Sequence, residues 1–173
     1  RDKPLFNRAT HAQLEPGSTI KPVVGISAIT QKLSVPPWGV ITPHTGIECT
    51  GYLVINGRKI TTAGKCWVTS KFGRLLNGAV AHHPIPSTAP HRGEHGNPNG
   101  FLPFADSLER SCNIYFETIA DAFGVEGLSY WFDRFGLGHE TGLGISEACG
   151  FLPNAWPTNS RAVAQASGMG QMG

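Results

Sequence analysis

Two proline breaks confine the first regular element of this chain more tightly than any other feature. Pro16-Gly17 makes a turn, Pro36-Pro37 stops any helix, and between them Val23, Ile26, Ile29 and Leu33 recur at spacings of three and four. That period lays one apolar stripe along a helix. Pro22 has no amide hydrogen and fits only the first helical turn, so the helix has to begin close to Ser18. The expected element runs from about Ser18 to Leu33, after an extended or irregular stretch over residues 1–17.

Similar punctuation organises the rest. The 173 residues include 22 Gly and 13 Pro, which predicts a loop-rich chain. Tyr52-Leu53-Val54-Ile55, then Asn56-Gly57, then Lys59-Ile60-Thr61-Thr62 reads as a β-hairpin. Residues 68–103 are rich in Gly, Pro and His without periodicity and are expected to form a long surface loop, an insertion or a functional loop. Helices follow over Ala105–Arg110, capped by Asp106, and over Asn113–Phe123, ended by Gly124. Val125, Leu128, Trp131, Phe132 and Phe135 form an amphipathic stripe closed at Gly136. Residues 137–160 read as loop, and Ala162–Ser167 as the start of another element. A net charge of +2 with no Lys/Arg run gives no support for a nucleic-acid footprint. No signal peptide or membrane-length apolar run is visible.

The chemistry starts at Leu14-Glu15-Pro16-Gly17-Ser18-Thr19-Ile20-Lys21-Pro22, which sets a serine and a lysine three residues apart at a helix start. Such residues share a helix face, bringing the amine near the hydroxyl. A serine hydroxyl is a weak nucleophile and needs a neighbouring base. Lysine serves as one only when burial or a nearby cation lowers its pKa. Amide groups at the helix start favour negative charge on a substrate oxygen. The plain alternative is a capping Ser18 and a solvated Lys21, and the tetrapeptide alone is common. Ser111-Cys112-Asn113 falls between two expected helices. Its hydroxyl can relay a proton and its amide can hold a substrate carbonyl, yet Ser111 or Asn113 would serve equally as a cap.

Taken together, these segments resemble the class B penicillin-binding proteins, the peptidoglycan transpeptidases, and within them the elongation or cell-shape type. The residues that carry the resemblance are Asn7-Arg8-Ala9, Glu15 to Pro22, Cys49-Thr50-Gly51-Tyr52, Cys66-Trp67, Ser107 to Phe116, Arg134 to Gly138 and Thr141-Gly142, in the family's order over residues 7–171. The resemblance implies an α/β fold, the transpeptidase fold shared with serine β-lactamases, of which this chain would hold mostly the helical lobe. It implies that Ser18 attacks the penultimate D-alanine of a peptidoglycan stem peptide, with Lys21 as base. Ser111 would pass a proton to the leaving group, and Asn113 would bind the substrate amide. A β-lactam would acylate the same serine. The parent protein would be anchored in the cytoplasmic membrane with this domain on the periplasmic side, working with glycosyltransferase and cell-elongation proteins. A D,D-carboxypeptidase, a β-lactamase, a β-lactam sensor and an inactive wall-machinery scaffold are the rival activities.

The resemblance also offers a structural zinc site at Cys49, Cys66, His95 and Cys112, holding the second motif in place. His82, His83 and His91 rival His95 because the long loop blurs the register. A Cys49–Cys66 disulfide and buried free thiols stand beside zinc as readings of the same cysteines. Cys149 is left over and reads as a packed thiol. The family's third motif, Lys-Thr/Ser-Gly, is not found: Glu140-Thr141-Gly142 is a lookalike placed where the family has an ordinary loop. The chain thus reads as stopping short of that motif.

Overall fold

The computed structural model describes residues 7–12, 16–55, 57–60, 66, 75–76, 79–80, 101–150 and 152. Helix α1 covers Arg8–His11. A 3-10 turn over Gly17–Ile20 runs directly into α2, Lys21–Gln31. Among the described residues eight short strands follow: β1 Ser34–Val35, β2 Gly39–Val40, β3 Ile47–Glu48, β4 Val54–Ile55, β5 Arg58–Lys59, β6 Leu75–Leu76, β7 Ala79–Val80 and β8 Phe101–Leu102. Helices α3, Phe104–Glu109, and α4, Asn113–Arg134, come last among the described residues. The strands pair antiparallel as β1–β2, β3–β8, β4–β5 and β6–β7, each pair staying on its own. Among the described residues they act as two-stranded clips between loops.

Helix α2 begins where the proline argument places it. Pro22 lies in the first turn, where its missing amide hydrogen costs nothing. The helix ends at Lys32, which adopts a left-handed φ of 53°. Leu33 N–H bonds to the Ala28 carbonyl at 2.9 Å and Lys32 N–H to that of Ile29 at 3.2 Å, a Schellman closure.

The buried face of α2 is not the stripe that the sequence suggests. Ile20, Val24 and Ala28 enter the core with Tyr115, Phe116, Ile119, Ala120, Leu128 and Phe132 of α4. Val23, Ile29 and Leu33 only flank that core, and Ile26 is 45% exposed. Small residues let two helices approach, so the centre of the contact reads as less hydrophobic than its margins. Gly25 shows how close the packing is: a β-carbon there would enter the ring of Phe104. Phe104 in turn meets Phe116 edge-on, with ring centroids 6.3 Å apart.

Helix α4 is broken at Gly124, whose φ of 66° and ψ of 175° lie outside helical space. This is the break expected from the sequence, and both halves bury apolar residues. The hairpin expected at 52–62 is present as β4–β5, with Ile55 opposite Arg58, while residues 61–62 lie outside the described residues. Three local expectations differ. A helical turn, α1, lies in the stretch expected to be irregular. A second hairpin, β6–β7, lies in the stretch expected to be one loop. Helix α3 starts after Pro103, so Asp106 lies in the first turn, where its charge suits the exposed amides, and does not cap. The element expected at 162–167 lies outside the described residues.

Beyond α4 the chain folds back on α1. Thr141 N–H and Oγ1 and Leu143 N–H donate to the Glu147 carboxylate at 2.8, 2.6 and 2.9 Å. The Thr141 hydroxyl and amide, followed by the Leu143 and Gly142 amides, hold that carboxyl below its ordinary pKa. Ala148 N–H bonds to the Thr10 carbonyl at 2.8 Å, and His11 Nε2 lies 3.1 Å from Ser146 Oγ. Glu140-Thr141-Gly142 is therefore a turn wrapped around Glu147, in keeping with its reading as an ordinary loop. No helix among the described residues is long and apolar enough to cross a membrane.

Candidate active site

The 3-10 turn leaves Ser18 exposed, while Lys21, opening α2, is 1% exposed. Facing them is the junction of α3 and α4. Cys112 N–H reaches the Ser107 carbonyl at 2.8 Å and Ser111 N–H that of Leu108 at 3.0 Å, a second Schellman closure. Its left-handed position, usually glycine, is taken by Ser111 with φ 51°. An L-residue pays roughly 1–2 kcal/mol to sit there. In return the Ser111 hydroxyl is aimed at α2.

The four expected residues meet at this point. Lys21 Nζ donates to the Ser111 carbonyl at 2.9 Å, to Ser111 Oγ at 2.9 Å and to Asn113 Oδ1 at 2.6 Å. Ser111 Oγ donates to Ser18 Oγ at 2.8 Å. Lys21 thus reaches Ser18 through the Ser111 hydroxyl, where the spacing alone predicts a direct approach. The physical reason is that Lys21 turns inward to the start of α4, whereas Ser18 faces outward.

This arrangement can move a proton without moving a heavy atom. An ammonium uses its three hydrogens on these three partners. After losing one proton, the amine has two N–H groups and a lone pair. The Ser111 carbonyl and Asn113 Oδ1 only accept, so the lone pair faces the Ser111 hydroxyl. Rotation of the two hydroxyls then lets Ser18 donate to Ser111 and Ser111 to Lys21. Burial lowers the Lys21 pKa, with Cys112, Glu117 and Cys66 pulling the other way. The Phe116 ring, its centroid 5.8 Å from Nζ, adds an apolar wall with a favourable face for a cation.

The cysteines of the zinc reading also converge. Cys49, Cys66 and Cys112 are buried, and Cys49 hydrogen-bonds to both Cys112 and Cys66. Those bonds, followed by burial, push the Cys49 thiol well above its ordinary pKa. Among the described residues no disulfide joins these three cysteines or Cys149. Three soft sulfur donors suit zinc by chemistry. Among the described residues, however, no group of three or more His, Cys, Asp or Glu is placed to hold a metal ion. His95 lies outside the described residues. Cys149 is exposed in the loop after α4, which corrects its reading as a packed thiol.

Two neighbours of Lys21, Phe116 and Glu117, escape the sequence reading. Glu117 had a readable signal: an acid set among Ile114, Phe116, Ile119 and Ala120, the apolar positions of α4.

Comparison with known proteins identifies the family. Residues 83–172 match the model of the family described as "Penicillin binding protein transpeptidase domain". That match holds Ser111 and Asn113, and the hydrogen bonds bring Ser18 and Lys21 to them. Peptidoglycan D,D-transpeptidase MrdA of Escherichia coli strain K12 is 31% identical over 144 residues, which is 83% of this chain and 17% of the relative. The chain therefore spans about a sixth of the length of the curated relatives that it matches. The crystal structure of Pseudomonas aeruginosa PBP2 superposes with a TM-score of 0.68 at 21% identity, over 98% of this chain and 33% of the other. PBP2 of Helicobacter pylori, solved in complex with MreC, gives 0.65 at 20% identity, over 97% and 26%. These structures show the fold: the helices and strand clips described above are part of the α/β transpeptidase architecture. The family match covers more than half of the chain, and the chain belongs to the penicillin binding protein transpeptidase domain family.

Proposed function

We propose that this chain carries the acylation centre of a peptidoglycan D,D-transpeptidase, with Ser18 as nucleophile. The observation that supports it best is the unbroken path from Ser18 Oγ through Ser111 Oγ to Lys21 Nζ, with steps of 2.8 and 2.9 Å. Ser18 Oγ attacks the carbonyl of the penultimate D-alanine of a stem peptide while its proton passes through Ser111 to Lys21. The same proton returns through Ser111 to the departing D-alanine amine. A neighbouring stem's amine then takes the acyl group from Ser18, and the proton it gives up passes through Lys21 and Ser111 to Ser18 Oγ. Asn113 keeps Oδ1 on Lys21, and its amide hydrogens donate to a substrate carbonyl. A penicillin, whose ring amide mimics the D-alanyl-D-alanine bond, stops at the acyl-enzyme because its amine stays tethered.

The experiment uses protein made from the complete reading frame, a labelled penicillin and peptide mapping by mass spectrometry. The label is expected on the Ser18 peptide and absent in Ser18→Ala. A folded protein that takes no label at Ser18 sinks the proposal.

Zinc held by Cys49, Cys66, Cys112 and His95 is proposed as a structural group, supported by the three converging thiols. Bound there, it would act as a cross-link and supply no step of the reaction. Elemental analysis is expected to find one zinc per chain and none in Cys112→Ser; a metal-free folded protein would exclude it. An extracytoplasmic placement on a membrane-anchored parent, and a partner of the MreC kind, are proposed from the likeness to MrdA and to the Helicobacter pylori complex.

A further inference from the structure

Glu117 is 0% exposed, and it is the one buried acid among the described residues. The buried cations there are Lys21 and Arg110, at 1% and 8% exposure. A carboxylate removed from water is costly unless a positive charge compensates it. Helix α4 points to Lys21. Glu117 follows Asn113 by one turn, so the two share a face, and Asn113 Oδ1 lies 2.6 Å from Lys21 Nζ. Burial lowers the Lys21 pKa, and Glu117 is one of the groups that pull it back toward the charged form, after Cys112 and ahead of Cys66. The lysine also lacks something that Glu117 has. Its three hydrogen-bond partners, the Ser111 carbonyl, Ser111 Oγ and Asn113 Oδ1, satisfy its donors, but all are neutral.

We propose that Glu117 is a positioning residue for the acylation centre: its buried carboxylate is the counter-charge that holds the Lys21 ammonium against Ser111 and Asn113. The inference rests on the reading of Ser18 as nucleophile. During acylation Lys21 passes from amine to ammonium as it takes the Ser18 proton. A negative charge on Glu117 makes the amine a stronger base and favours the state that follows the transfer. Glu117 would thus speed the step without touching the substrate.

A double-mutant cycle on full-length protein tests the pairing, read as thermal midpoints of wild type, Lys21→Met, Glu117→Gln and the double variant. Each single variant is expected to lower the midpoint, and the double to recover most of the loss because no charge is left unbalanced. Additive losses overturn the pairing. So does a cycle in which Arg110→Met, rather than Lys21→Met, couples to Glu117→Gln. The second readout is acylation of Ser18 by a labelled penicillin. At a pH high enough for Lys21 to be neutral in both proteins, Glu117→Gln, with its weaker base, is expected to acylate about tenfold more slowly at unchanged affinity for the non-covalent complex, and its acid limb is expected at lower pH than in wild type. Glu117→Asp, which keeps the charge, is expected to recover part of that rate. A Gln variant as fast as wild type, or an Asp variant no better than a Gln variant, overturns the role. The thermal cycle needs no turnover. A wild-type protein that takes no label would therefore overturn the nucleophile reading while the cycle still decides the charge pair.

Discussion

A Lys21→Met protein is expected to take up labelled penicillin at Ser18 about a thousandfold more slowly than the parent, the range for loss of a positioned base. Methionine fills much of the same buried channel, so α2 and α4 should still pack. It gives no donor to the Ser111 carbonyl, Ser111 Oγ or Asn113 Oδ1, and it cannot take a proton. Lys21→Arg separates these two losses. Arginine keeps the charge and the donors but does not release a proton near neutrality. It is therefore expected to be as silent as methionine; brisk acylation in the Arg variant would sink the base role. The pH dependence has a definite sign. The neutral amine is the base, so wild-type acylation falls as pH drops through the Lys21 pKa, which burial has moved below its ordinary value. Cys112, Glu117 and Cys66 limit that movement. The residual rate of the Met variant should lack this acid limb, which stopped-flow labelling across pH would reveal.

The sequence names four residues that the structure brings together, and it does not show how they connect. Ser18, Lys21, Ser111 and Asn113 stand out by motif and order, because the proposed chemistry calls for those residue types. That Lys21 reaches Ser18 through Ser111 depends on the left-handed backbone at Ser111, and no residue type announces that conformation except glycine. Fold elements divide in the same way. Gly124 and Asn56-Gly57 mark breaks through backbone freedom, and the breaks are where they point. Leu75 to Val80 contains Asn77-Gly78, an equally good signal, but the surrounding Gly, Pro and His offered no alternation to support it. Helix α1 has four residues, too few to show a period. The α2 stripe misled because Val24, Gly25 and Ala28 bury through small size, which a search for large apolar residues passes over.

Ser111→Gly turns the strained backbone into a test that separates stability from function. Glycine is the residue a Schellman closure ordinarily uses, so the substitution relieves a left-handed serine. Part of that gain returns as greater freedom of the unfolded chain, leaving a net change within about 1 kcal/mol of wild type. The hydroxyl, however, joins Lys21 Nζ to Ser18 Oγ, and without it the 2.8 and 2.9 Å steps disappear together. Acylation of Ser18 is expected to fall by roughly 10²–10⁴-fold, the cost of removing a proton carrier from the transition state. Lys32→Gly is the matching control: Lys32 closes α2 with the same motif and φ 53°, but it is exposed and outside the hydrogen-bonded path. It should carry the same backbone relief and leave labelling intact. Calorimetry and a labelling time course on the two variants would then show a shared response in stability and a divergent one in rate. If Ser111→Gly acylated as fast as Lys32→Gly, the proton would have to leave Ser18 by another route, and the strain at Ser111 would have no catalytic purpose.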